Sequence, residues 1–194
     1  MRLLQIDSSI TGDASASRAV TREIVSRWRA SVPGIEVRHL DLVSSPFGHL
    51  SPSSLAHAEA AESARDAAAL EDFIAADVIV IGAPMYNFAI PSQLKAWIDR
   101  IAVAGKTFRY TEKGPQGLAG GKQVIIVLSR GGLYPPQSPG DYVEPYLRHV
   151  FSFLGIEDVT FVRAEGLGLS PERREQGLKQ ALTDAMTVPF GRAA

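Results

Sequence analysis

Two stretches of this chain, Val78-Ile79-Val80-Ile81-Gly82-Ala83 and Val124-Ile125-Ile126-Val127-Leu128-Ser129, are apolar almost without interruption. A strand with one wet face alternates between apolar and polar residues. A strand that is apolar on both faces is covered on both, as in the middle of a parallel sheet flanked by helices. Two such runs, separated by helical patterns, point to an α/β domain. The length of 194 residues fits a single domain, residues 1–194, with a sizeable core.

Three further segments read as strands: Leu3 to Asp7, Ile35 to Leu40 and Val159 to Ala164. Ile35, Val37 and His39 alternate with Glu36 and Arg38, and Thr160 and Arg163 interrupt the last run. The second and fifth strands are therefore expected at the edges of the sheet. A five-stranded parallel sheet of order 2-1-3-4-5, with helices on both faces as a three-layer sandwich, meets that requirement. The helical stripes are Val20, Ile24 and Trp28; then Leu94, Trp97, Ile98 and Ile101 after Pro91; then Val143, Tyr146, Leu147, Val150, Phe151 and Leu154. Ser170-Pro171 reads as a cap followed by a first-turn proline, opening a last helix that buries Leu178, Leu182 and Ala185. Two connections, Leu42 to Ser54 and Lys106 to Lys122, are too long for simple turns and read as lids or interfaces.

Composition removes several classes of function. A formal charge of −1, from 20 basic and 21 acidic side chains, gives no reason to expect nucleic acid or an anionic membrane surface as a partner. With no cysteine, there are no disulfides, thiolate nucleophiles or cysteine metal sites. The four histidines, His39, His49, His57 and His149, are scattered without ligand spacing, so no metal site is expected. Glu59, Glu62 and Asp66 on one helical segment read as a solvated face. No apolar run approaches the ~20 residues of a membrane helix. The opening Met1-Arg2-Leu3-Leu4-Gln5-Ile6-Asp7 is too short for a signal segment, so a soluble, cytoplasmic protein is expected.

In an open parallel sheet, ligands bind beyond the carboxyl ends of the strands where the chain order reverses. Here those ends carry the least ordinary segments of the sequence. After the first strand comes Ser8-Ser9-Ile10-Thr11-Gly12-Asp13-Ala14-Ser15-Ala16-Ser17. Hydroxyls and free N–H groups at a helix start bind anions, and without a lysine or a glycine triplet the loop suits a single terminal phosphomonoester. It reads equally well as a solvated loop with Ser17 as helix cap. After the third strand comes Pro84-Met85-Tyr86-Asn87-Phe88-Ala89-Ile90-Pro91, which holds the only asparagine of the chain. Two aromatics, a methionine and an amide between prolines make a rigid wall for a flat heterocycle better than they make a surface loop. After the fourth strand, Ser129-Arg130-Gly131-Gly132 offers backbone that can approach a ligand closely or take positive φ.

With these residues in place, the chain resembles the FMN-dependent NADH:quinone oxidoreductases known as azoreductases, of flavodoxin-like fold. The likeness runs over nearly the full length. It rests on Ser8-Ser9, Ser15-Ala16-Ser17, Pro84-Met85-Tyr86-Asn87-Phe88, Thr107-Phe108-Arg109-Tyr110-Thr111-Glu112 with Gly114-Pro115, Ser129-Arg130-Gly131-Gly132, Pro145-Tyr146-Leu147 and Phe153-Leu154-Gly155-Ile156. The resemblance implies that Ser9, Ser15, Ala16 and Ser17 hold the FMN phosphate, and that Met85, Tyr86, Asn87 and Phe88 line the isoalloxazine ring. Ser129, Arg130, Gly131 and Gly132 would meet the ring's pyrimidine edge. It further implies a homodimer with two sites near the interface and Tyr110 at the mouth of the substrate pocket. Leu133-Tyr134-Pro135-Pro136-Gln137 departs from the family by its prolines. That loop, with Tyr134, is expected near the substrate side.

The implied activity is transfer of two electrons from NADH (or NADPH) through bound FMN to quinones and azo compounds. No acid–base pair is readable beside the site, which leads to a ping-pong cycle with no protein catalytic residue. A flavodoxin-type electron carrier or a flavin-binding sensor module is the rival on the same fold. A response-regulator-like domain would need an aspartate where Gly82-Ala83-Pro84 stands, and a low-molecular-weight phosphatase would need a cysteine.

Overall fold

The computed structural model describes residues 1–55, 60–135 and 137–190, so His57, Glu59 and Pro136 lie outside the described residues. Along the chain run β1 (Arg2–Asp7), α1 (Ala16–Ser31), β2 (Glu36–Asp41), α2 (Pro52–Leu55), α3 (Ala60–Ala75), β3 (Val78–Pro84) and α4 (Ser92–Ile101). Then follow β4 (Phe108–Thr111), β5 (Gly114–Gly117), β6 (Gln123–Ser129), α5 (Val143–Phe153), β7 (Asp158–Ala164) and α6 (Pro171–Thr187). Five strands form one parallel sheet of order β2-β1-β3-β6-β7. Every residue of β3 and β6 is buried, whereas β2 is half-exposed to exposed throughout, as expected of central and edge strands.

The sheet separates two cores. Leu94, Trp97, Ile98 and Ile101 of α4 join Phe73 of α3 and Leu147 and Phe151 of α5 against one face. Val20, Ile24 and Trp28 of α1 join Ala181 and Ala185 of α6 against the other. Trp28, Trp97, Phe73 and Phe151 are essentially inaccessible, and each large side chain buried in this way contributes roughly 1.5–3 kcal/mol. In α6 the small Ala181 and Ala185 are the fully buried positions, while Leu178 and Leu182 pack half-buried beside them. Gly177 explains how α6 comes so close: a Cβ there would lie 2.1 Å from the carbonyl oxygen of Glu165. A helix-weakening residue is kept because no side chain fits between α6 and the end of β7.

Two expectations need correcting. The Lys106–Lys122 stretch is not an open loop, because β4 and β5 pair antiparallel as a hairpin. The hairpin is anchored on the end of α5. Ala119 N–H donates to the Leu154 carbonyl at 2.9 Å, and Gly117 crosses Gly155 so closely that a Cβ would meet its nitrogen at 2.1 Å. Nor are Glu62 and Asp66 a solvated face. Both reach the buried guanidinium of Arg100 on α4, Glu62 Oε1 at 2.9 Å from Nη2 and Asp66 Oδ2 at 2.9 Å from Nε. A cation buried at the α3–α4 seam has to be matched there, and these two carboxylates match it.

Candidate functional site

The chain leaves β1 for the β2 edge and then returns past β1 to β3, so the strand order reverses between β1 and β3. A cleft of about 330 Å³ opens there, at the carboxyl ends of β1, β3 and β6. That is within the size range of small-molecule sites. The β1 loop gives it Ser9, Thr11, Ala14, Ser15 and Ala16; the β3 loop gives Pro84, Met85 and Tyr86; the β6 loop gives Ser129, Arg130 and Gly131. Leu167, Gly168 and Arg174 complete it from the β7–α6 side.

The β1 loop gathers hydroxyls and unpaired helix N–H groups, the donors an anion needs. Helix α1 starts two residues earlier than a Ser17 cap would allow: Ser15 is the N-cap, and its Oγ accepts from the Arg18 N–H at 3.2 Å. Ser17 lies in the first turn, buried, with its hydroxyl 3.0 Å from that of Ser15. Early in the helix, the N–H groups of Ala16 and Ser17 have no helical carbonyl one turn back, and the positive end of the helix dipole faces outward. Ser9 adds a third hydroxyl, 3.0 Å from that of Thr11. Behind the loop, Ser8 Oγ donates to the Gly82 carbonyl at 2.6 Å. Arg18 forks onto Asp41 at 2.9 and 2.7 Å and also donates to the Ser9 carbonyl at 3.0 Å. Hydrogen bonding from Arg18 holds the Asp41 carboxyl down at about 2, from an ordinary 3.8. The same contact raises the already high pKa of Arg18.

The β3 loop is a tight turn. Tyr86 and Ala89 exchange N–H···O bonds of 2.9 and 3.0 Å, and the two residues between them have positive φ, Asn87 at 49° and Phe88 at 68°. Consecutive positive φ values mark a type I′ turn, which favours asparagine first and glycine second. Phenylalanine in the second place is strained, and such strain gathers at functional sites. Asn87 and Phe88 are exposed at the rim and are not part of the cleft lining.

Neither Gly131 nor Gly132 of the β6 loop has positive φ, and a Cβ on Gly131 would meet nothing nearer than 3.9 Å; the residue that has to be small here is Gly168 of the facing loop. The loops after β6 and β7 are laced backbone to backbone. Leu167 N–H donates to the Arg130 carbonyl, Gly168 N–H to Gly131 and Gly166 N–H to Gly132, at 2.9–3.1 Å. A Cβ on Gly168 would lie 3.3 Å from the Gly131 Cα. The Arg130 side chain, 1% exposed, is taken up by Asp141 at 2.7 Å and Glu165 at 2.9 Å, with the Tyr134 ring 5.2 Å from its guanidinium carbon. The backbone N–H of Arg130 in turn donates to the Ala164 carbonyl at 2.9 Å, so Arg130 braces this wall of the cleft and presents no free donor to it.

Of the residues expected from the sequence, Ser9, Ser15, Ala16, Met85, Tyr86, Ser129, Arg130 and Gly131 converge on the cleft. Ser17 stands directly behind the Ser15 hydroxyl. Gly132 supports the loop through its carbonyl. Tyr134 is half-exposed over Arg130, and Tyr110 is 75% exposed on β4; neither lines the cleft within one chain. Sequence reading missed Thr11, Ala14, Pro84, Leu167, Gly168 and Arg174. Thr11, Ala14 and Pro84 stood inside the quoted loops. Leu167 and Gly168 lie in the turn after β7, which carried no signal of its own, and Arg174 stood on a helix that was expected but given no part in the site.

The donor set fits a flavin mononucleotide: hydroxyls and helix N–H groups at one end, an apolar and backbone-lined wall at the other. Among the described residues no cluster suited to a metal ion is present, and no helix is long and apolar enough to cross a membrane. The profile of the flavodoxin-like fold family matches residues 1–188. A protein of Stenotrophomonas maltophilia (strain K279a), the FMN-dependent NADH:quinone oxidoreductase, is 53% identical over 182 residues, covering 94% of this chain and 93% of the relative. The FMN-dependent NADH:quinone oxidoreductase 2 of Pseudomonas aeruginosa (strain PAO1) is 53% identical over 191 residues, covering 93% and 95%. Among solved structures, an FMN-dependent NADH-azoreductase from Bacillus anthracis in complex with FMN superposes with a TM-score of 0.83 at 26% identity, covering 95% of this chain and 97% of the other.

Proposed function

The chain belongs to the family of FMN-dependent NADH:quinone oxidoreductases, and we propose that its cleft holds FMN and reduces quinones and azo compounds with electrons from NADH. The observation that carries this reading is one cleft that joins the hydroxyls and free N–H groups at the start of α1 to a wall made by the β3 and β6 loops. FMN, when bound, would supply the two-electron chemistry that links reduced nicotinamide to the acceptor. The protein binds, orients and shields. Ser9, Ser15 and Ser17 with the N–H groups of Ala16 and Ser17 hold the phosphate. Met85 and Tyr86 line the ring, with Asn87 and Phe88 turning at its rim, and Ser129 to Gly131, braced by Gly132, border its polar edge. No protein acid is assigned; donor and acceptor take turns over the same face in a ping-pong cycle. NADPH is admitted as an alternative donor.

The same proposal takes the whole chain as one FMN-binding domain, cytoplasmic, and working as a homodimer. Exposed apolar side chains support the dimer: Ile10, Phe88, Leu133 and Leu169 on the loops at the cleft's end of the sheet, with Tyr110 on the β4–β5 hairpin and Leu118 just after it. A second copy would bring Tyr110 to a substrate pocket that one chain leaves open, and Tyr134 belongs to that side as well. Light scattering on purified protein tests the assembly.

An absorbance spectrum tests the activity. Protein loaded with FMN is expected to bleach on anaerobic addition of NADH and to recover its flavin band with benzoquinone. Parallel double-reciprocal plots should accompany this. Bound flavin that NADH leaves oxidised would make the protein a carrier or sensor instead.

A further inference from the structure

From the sequence, the phosphate seat lacks a strong cation, and the structure supplies one from the far end of the chain. Arg174, in the first turn of α6, lines the cleft and donates from Nη2 to the carbonyl of Ala14 at 2.9 Å. Ala14 immediately precedes Ser15, the cap of α1, so the guanidinium sits beside the hydroxyls and N–H groups of the seat.

The neighbouring charges are already committed. Arg18 is forked onto Asp41, and Arg130 is shared by Asp141 and Glu165. Asp13, fully exposed, has the exposed Arg22 at 3.8 Å, and Glu172 accepts from the Ser170 hydroxyl. Among the described residues, Arg174 is the cation on the cleft lining that no carboxylate pairs. Its position is also poor for the helix that carries it. Arg173 and Arg174 place positive charge at the positive end of the α6 dipole, where acidic residues are favoured. A local rule broken beside a ligand cleft is the pattern expected where function sets the residue.

We propose that Arg174 is a specificity-determining residue of the cofactor site: it engages the terminal phosphate and makes the protein select FMN over riboflavin. The inference rests on the reading of the cleft as an FMN site. The planar fork of arginine suits a phosphate, with one N–H on the Ala14 carbonyl and the others facing the anion. The Ala14 contact holds the side chain in place before the ligand arrives, so little rotamer freedom remains to be lost on binding.

Apoprotein titrated with FMN and with riboflavin, followed by flavin fluorescence, separates the possibilities. Arg174→Ala is expected to raise the Kd for FMN about tenfold or more and that for riboflavin less than about twofold, with Arg174→Lys in between. The salt dependence of FMN binding should also flatten in Arg174→Ala. An unchanged FMN affinity would overturn the proposal. So would an equal loss for both flavins, which would make Arg174 only a tie for the β1 loop. Failure of the unaltered protein to bind either flavin would remove the cofactor reading itself, and this inference with it.

Discussion

The Tyr86 hydroxyl accepts from the Ile10 N–H at 3.2 Å and lies 3.2 Å from Ser9 Oγ, so the loop after β3 is latched to the loop after β1. One side chain thus couples the β3 wall of the cleft to the hydroxyl-rich β1 loop. Tyr86→Phe keeps the ring and removes the latch. A lost hydrogen bond of this kind costs about 1 kcal/mol, which is roughly fivefold in FMN affinity. Hydrogen exchange at Ile10 and Thr11 should quicken in the same variant. Unchanged affinity with unchanged exchange would mean that the two loops hold their places independently.

Asn87 and Phe88 allow backbone and side-chain roles to be separated. Both have positive φ, so Asn87→Ala forces a Cβ-bearing residue without the amide into that region, at about 1–2 kcal/mol. Glycine accepts the conformation freely. Asn87→Gly is therefore expected to hold FMN within about twofold of the parent, and Asn87→Ala to weaken it about fivefold or more. Equal losses in both would show that the amide itself bonds the flavin. Phe88→Gly should leave the melting temperature unchanged or higher while lowering turnover, because it releases strain and removes an exposed ring beside the cleft.

These two loops show how far the residues alone could lead. Strands β3 and β6 were legible because burial on both faces writes itself as an unbroken apolar run, and β2 because an edge alternates. Hairpin β4–β5 was not legible. Its strands are four residues each, β5 is Gly-Pro-Gln-Gly, and what stabilises it is the approach of Gly117 to Gly155, a contact between distant segments. In the cleft, the hydroxyl-rich loop and the Met85-Tyr86 wall stood out by composition, whereas the reason for Asn87 lies in a dihedral angle that composition does not carry. Arg174 was invisible for another reason: α6 meets the β1 loop only after folding, 160 residues along the chain. Glu62 and Asp66 looked like a wet helix face because their partner, Arg100, belongs to another helix.

That last pairing makes a stability prediction. The Arg100 side chain is 3% exposed and also donates to the Gly48 carbonyl at 2.9 Å. Arg100→Ala strands two carboxylates at the α3–α4 seam, and breaking a buried pair in this way costs roughly 3–5 kcal/mol. Urea unfolding should show the midpoint falling with the slope unchanged. Glu62→Gln, with Asp66 still in place, should cost less than half as much. A loss below about 1 kcal/mol in Arg100→Ala would be the behaviour of a solvated ion pair and would contradict the burial.

Acid stability follows from Asp41. Its carboxyl is held at about 2 by the Arg18 fork, against 3.8 ordinarily, so the native state keeps it charged where the unfolded chain would protonate it. A depressed carboxyl stabilises the fold above its unfolded pKa, and that contribution is lost as pH falls through the folded value. Asp41→Asn should therefore be less stable than the parent by a constant amount above about pH 5, with the gap closing between about pH 4 and 2. Taking the difference between the two proteins at each pH cancels the other carboxylates, which titrate in both. Because Arg18 also holds the Ser9 carbonyl at 3.0 Å, the variant should lose FMN affinity at neutral pH as well. A stability gap that stays constant down to pH 2 would show that the Arg18–Asp41 fork does not depend on the charge of the carboxylate.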